Sequence, residues 1–183
     1  MNERKRLISV EQFRELARPT SVHLDEEEVN AYIRECEDQY IIPVIKYKNF
    51  KGCVENDQSV WDEFFDETFN PKIFIDGGEW ISDEGTIKEE AHYVNGVRKA
   101  LAYFVYARMV RSDGNILSRA GAMRHRDEHA EHNTDQKLRQ YNDVMNMAER
   151  YLAECVAYLR LHVKDLEINK TKCTRARIKA IGD

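Results

Sequence analysis

The chain has 183 residues, a formal charge of −5, 42% hydrophobic and 33% charged residues, and only three prolines and eight glycines. That length suits one domain with a real core. The scarcity of proline and glycine argues against a sandwich, a barrel or a long disordered region, and the acidic balance removes any overall attraction to nucleic acid or an anionic membrane.

In chain order, residues 9–17 predict a short opening helix. Ser9 caps it, Gln12 completes a capping box, and Ile8 with Phe13 forms a hydrophobic staple across the start. Pro19 closes it. Asp25 repeats the device, with Glu28 three residues on and Leu24 facing Val29. The second helix then carries Val29, Tyr32, Ile33, Cys36 and Tyr40 inward at 3–4 spacing. Pro43 ends or kinks it, and IIPVI continues as a buried turn.

A third helix is expected over residues 57–69, with Val60, Trp61, Phe64, Phe65 and Phe69 on one side and Asn70-Pro71 as its stop. KIFIDGGEWIS follows, two short β-prone runs about Asp76-Gly77-Gly78, which reads as a tight hairpin over residues 72–81. A lone two-stranded hairpin is marginal in water, so it should pack on the bundle or on another molecule. Residues 96–111, GVRKALAYFVYARMVR, carry an uncharged stretch from Ala100 to Ala107, bracketed by Arg98, Lys99, Arg108 and Arg111. A helix apolar nearly all round belongs at the centre of a bundle, and this one is too short to span a bilayer. Tyr103, Phe104 and Tyr106 are expected in the core.

Ser112-Asp113-Gly114-Asn115 reads as a turn. Residues 116–133 have no helical period and little apolar content, which suggests an extended arm or long hairpin, and loops of that length are uncommon unless they serve a function. Asn133 with Gln136 then caps the longest helix. Leu138, Tyr141, Val144, Met145, Ala148, Tyr151, Leu152, Cys155, Tyr158 and Leu159 keep its stripe for roughly 43 Å at 1.5 Å per residue. From Lys164 the period fades into a basic tail.

Cys36, Cys53, Cys155 and Cys173 are scattered without CxxC spacing. No signal peptide is expected, because residues 1–6 are charged and no apolar run follows. Both points favour synthesis in a reducing cytoplasm, with buried thiols acting as small hydrophobes. The strongest chemical temptation is HRDEHAEH. His125, His129 and His132 with the intervening carboxylates could hold zinc on a helix, but Arg124 and Arg126 stand beside the would-be cation. Arg111, Arg119, Arg124 and Arg126 make the same region locally basic, which suits phosphates or an acidic partner surface as well as plain solvation. Asp25 and Glu26–Glu28 are helix-start chemistry, and Trp80 is a possible interface anchor. No nucleophile elbow, P-loop or dinucleotide motif is present.

LISVEQFRELARPTSVHLDEEEVNAYIRECEDQYIIPVI resembles the N-terminal block of head-to-tail connector (adaptor) proteins of tailed bacteriophages, closest to the group from phages of Bacteroides-type hosts, including crAss-like phages. The resemblance rests on Arg18-Pro19, Asp25, residues 32–38 and residues 41–45. VRKALAYFVYARMVRSDG looks like that family's central helix, and SRAGAMRHRDEHAEHNTDQK like its passage into the last helix. The blocks fall in order over most of residues 7–160. The His- and Arg-rich arm departs from the pattern, and residues 164–183 have no counterpart.

The resemblance implies a ring, usually a dodecamer, stacked beneath the portal at the virion neck and extending the DNA channel toward the tail. The expectation is therefore a mainly α bundle of four to five helices with a β-hairpin and a β-like arm, divided as a domain over residues 1–163 and a tail over residues 164–183. It would be no enzyme and would hold no cofactor or metal. Its expected partners are itself, the portal, other connector or tail proteins, and genomic DNA passing without sequence-specific binding, with no membrane partner. Expected contact residues are Gly77, Gly78, Trp80, Arg119, Arg124, Arg126, His129 and His132 between subunits. Lys170, Arg175 and Arg177 would lie on a portal-docking tail. The rival readings are a helical nucleic-acid-binding or regulatory protein and a metal-dependent enzyme built on the histidines.

Overall fold

The computed structural model describes residues 4–19, 25–55, 59, 61, 62, 65–81, 91–112, 115–118, 121–124 and 134–163, with side chains except at 115–118, 121–124 and 134–136. Its elements are α1 (Val10–Leu16), α2 (Glu26–Cys36), a π-helical turn (Glu37–Ile41), α3 (Ile42–Ile45), α4 (Tyr47–Glu55), α5 (Pro71–Asp76), β1 (Gly78–Ile81), β2 (Ala91–Val94), α6 (Val97–Ser112), β3 (Asn115–Ser118), β4 (Gly121–Arg124) and α7 (Thr134–Leu161). The fold is mainly α with antiparallel hairpins attached.

The hub is α6. Val97, Ala100, Leu101, Ala102, Phe104, Val105 and Ala107 are all buried and cover most of the helix circumference, with Lys99, Tyr103 and Tyr106 on the remaining side. Tyr103 and Tyr106 are only half-buried, at its margins. The bracketing charges tie this helix to its neighbours. Arg98 reaches Asp76 at 2.6 Å, Arg108 pairs with Glu35 of α2, Lys99 donates to Asn95 at 3.0 Å, and the Arg111 guanidinium lies 5.5 Å from the Tyr141 ring. The longest helix, α7, buries Val144, Ala148, Tyr151, Leu152, Cys155, Tyr158 and Leu159 along one stripe, while Leu138 near its start stays exposed.

At the N-terminus, Ser9 and Gln12 form the reciprocal capping box. Ile8 and Phe13 are both buried. Asp25 caps α2 through the Glu27 amide at 2.9 Å, one residue earlier than a capping box would use. Pro43 does not break the chain. The helix widens by one π-turn ahead of it and resumes as α3, with the proline in the first helical turn, where its missing N–H costs nothing. IIPVI is therefore helical, and the run ends at Lys46, whose φ of 71° turns the chain into α4. That helix was not anticipated. Its apolar content is sparse, chiefly Phe50 and Cys53 one turn apart with Val54 beside them.

Two further expectations are corrected. The helix over residues 57–69 does not reach Phe69, because Phe65 makes a bridge to Val163 and residues 67–68 form a turn. The hairpin over residues 72–81 is half helix. Asn70 accepts from the Lys72 amide at 3.0 Å as an N-cap, and Pro71 occupies the first turn, so Asn-Pro starts a helix here where a stop was expected. Gly77, at φ 94°, ends it. The hairpin that does form pairs β1 with β2, in the register Gly78↔Val94, Glu79↔Tyr93, Trp80↔His92 and Ile81↔Ala91. In the arm, β3 and β4 pair as an antiparallel hairpin, while residues 125–133 and the tail 164–183 lie outside the described residues.

Candidate interaction surface

The β1–β2 hairpin is rooted where two glycines pass each other. A Cβ on Gly96 (φ 84°) would meet the Asp76 carbonyl carbon and the Gly77 nitrogen at 2.5 Å, and one on Gly77 would meet the Val94 and Asn95 carbonyl oxygens at 2.8 Å. Backbone lies on backbone there, so only glycine fits on either side.

Alternation along the strands then separates two faces. On the inner face are Gly78, Trp80, His92 and the buried Val94. Trp80 stacks on His92 at 4.8 Å and meets Tyr158 and His162 of the α7 end in edge contacts at 5.6 and 5.9 Å. Within the chain, Trp80 holds the hairpin to the bundle, and Gly77 and Gly78 form the hairpin root. On the outer face stand Glu79, Ile81, Ala91 and Tyr93, all exposed, with Ile81 at 61% and Tyr93 at 59%. These are the two most exposed of the large apolar side chains among the described residues. The sequence reading missed both because it paired the wrong strands, and alternation about Trp80 would have found Ile81.

Beneath the hairpin, Trp61, Phe65, Phe69, Phe74 and Tyr158 form a continuous aromatic cluster, with Phe65 and Phe69 stacked at 4.3 Å. Its rim is a polar clasp. Asp66 Oδ1 lies 3.1 Å from His162 Nδ1 and accepts from the Thr68 hydroxyl at 2.6 Å, and the Asp66 amide donates to the His162 carbonyl at 2.9 Å. Burial of Asp66 acts to raise its pKa, but the hydrogen bonds from Thr68 and His162 hold the carboxyl below its ordinary value. A carboxylate–imidazole pair is the orienting half of a general base. Here His162 Nε2 is buried and meets no hydrogen-bond partner among the described residues, while Nδ1 ties the end of α7 to Asp66.

The remaining proposed positions divide simply. Arg119, Arg126, His129, His132, Lys170, Arg175 and Arg177 lie outside the described residues, as do His125 and Cys173, while Arg124 ends β4 with only its backbone described. Among the described residues no group of three or more His, Cys, Asp or Glu could hold a metal ion, and no helix is long and apolar enough to cross a membrane. Cys36, Cys53 and Cys155 are buried free thiols. Burial pushes Cys36 and Cys155 up to about 12 and raises Cys53 as well, so all three remain protonated and unreactive.

No curated protein and no solved structure matches the chain. Residues 41–177 match DUF6712, described as a family of unknown function, and the chain belongs to that family.

Proposed function

We propose that this protein is a structural subunit of a virion neck, a head-to-tail connector that assembles into a ring, dodecameric by resemblance, between portal and tail. The observation that carries the reading is the outer face of the β1–β2 hairpin. Ile81 and Tyr93 stand in water on a two-stranded sheet whose opposite face is pinned by Trp80. A rigidly mounted apolar face suits contact with a neighbour, and in a ring each subunit presents two different surfaces to its neighbours. The ordered blocks that resemble those of phage connectors support the same reading.

In this role the chain is no enzyme and holds no cofactor. It lets genomic DNA pass without sequence-specific binding, and its acidic total suits a channel that phosphates do not grip. The basic tail, including Lys170, Arg175 and Arg177, would dock on the portal after synthesis in the host cytoplasm. Electron microscopy of the virion neck tests the proposal. A ring of this chain at the portal–tail junction, with the hairpin against its neighbour, is expected, and particles lacking the chain there would refute it.

A further inference from the structure

We propose that the N-terminal strap, residues 4–9, is a control element that sets the order of the β1–β2 hairpin through Arg98. The strap is seated on a carboxylate with no exposed surface, Glu37, in the π-turn. Glu37 Oε1 accepts from the Leu7 amide at 2.8 Å and Oε2 from Arg4 at 2.9 Å. Arg4 also donates to Asp38 at 2.6 Å and lies 5.3 Å from the Phe50 ring, so it grips both the π-turn and α4.

Leu7 uses its other backbone group in the opposite direction. Its carbonyl accepts from Arg98 Nε at 3.1 Å, and the same guanidinium donates through Nη1 to Asp76 at 2.6 Å. Asp76 is the last residue of α5, and Gly77, against Gly96, begins the hairpin root. A single chain of hydrogen bonds therefore runs from Glu37 through Leu7 and Arg98 to Asp76.

Two features make this chain a coupling. The guanidinium is planar and rigid, so Leu7 and Asp76 must both be in place for its two bonds to form together. The hairpin root has no slack, because the glycines leave backbone against backbone. Lifting the strap withdraws the Nε acceptor, frees Arg98 to rotate and loosens Asp76. By reciprocity, whatever orders the hairpin also tightens the strap. The coupling is a property of the isolated chain, and only its use during assembly rests on the connector reading.

Amide hydrogen exchange on the full chain tests it. Glu37→Gln keeps an acceptor for the Leu7 amide but loses the Arg4 ion pair. It is expected to speed exchange across β1 and β2 about fivefold or more, the lower end of coupling between linked sites, with Tyr151 to Leu159 of α7 unchanged. Asp76→Asn, at the exposed end, works the chain in reverse and is expected to speed exchange of the Leu7 amide by a similar factor. This second variant keeps the test decisive should Glu37→Gln fail to fold. Exchange left unchanged at the far end in either variant, or accelerated equally in α7, would overturn the coupling. Such a result would leave the connector reading untouched, since that depends on the particle.

Discussion

Helix α6 and the β1–β2 hairpin sit side by side in the chain and divide its tasks. The helix buries side chains round most of its circumference and ties its charges to neighbours, whereas the hairpin packs one face on the bundle through Trp80 and Val94 and leaves Ile81 and Tyr93 exposed. A buried residue of α6 holds the fold, whereas Ile81 and Tyr93 on the outer strand face stand exposed among the described residues. The same apolar chemistry thus serves stability in one place and contact in the other, and burial separates the two.

That contrast breaks if the two regions respond alike to substitution. Phe104, 1% exposed and stacked on Tyr40 at 4.5 Å, should cost about 3–5 kcal/mol as Phe104→Ala, measured by denaturant unfolding. At the junction of the two regions, Gly96→Ala puts a Cβ 2.5 Å from backbone at positive φ. It should cost about 2 kcal/mol or more and disorder the hairpin first, visible as lost protection of those β2 amides that pair with β1.

Glu37 sharpens the comparison through pH. Burial raises its pKa above the ordinary 4.5, so the folded chain holds this proton to higher pH than the unfolded chain. The stability so gained is fully present below the unfolded value and is lost as pH rises through the raised one. Stability of the native chain relative to Glu37→Gln should therefore be greatest near pH 4.5 and below, and shrink as pH rises, in denaturant midpoints over about pH 4 to 8. The smallest effect belongs to the outer face. Tyr93→Ser should change stability by no more than about 0.5 kcal/mol in the same unfolding measurement.

Much of this architecture was legible in residue order. The capping box at Ser9, the uncharged run at the centre of α6 and the stripe of α7 are local signals that tertiary packing had no reason to override. The failures lay where one local signal has two meanings. Asn70-Pro71 ends one element or starts the next, and here the Asn70 side chain finds the Lys72 amide and starts α5. Asp76-Gly77-Gly78 looked like a hairpin turn, but Gly77 is a helix cap pressed against the end of a strand seventeen residues farther along. The partner of β1 is β2, across nine intervening residues and so beyond the reach of a tight-turn signal, and with it went the outer face. Glu37 gave no sign either, because its burial depends on a strap thirty residues away.

The most direct test of the central claim is incorporation of the Ile81→Asp, Tyr93→Asp double variant into particles, quantified against the native chain together with its unfolding midpoint. The account predicts a variant that folds with unchanged stability and is missing from the neck. Incorporation at native copy number would contradict it.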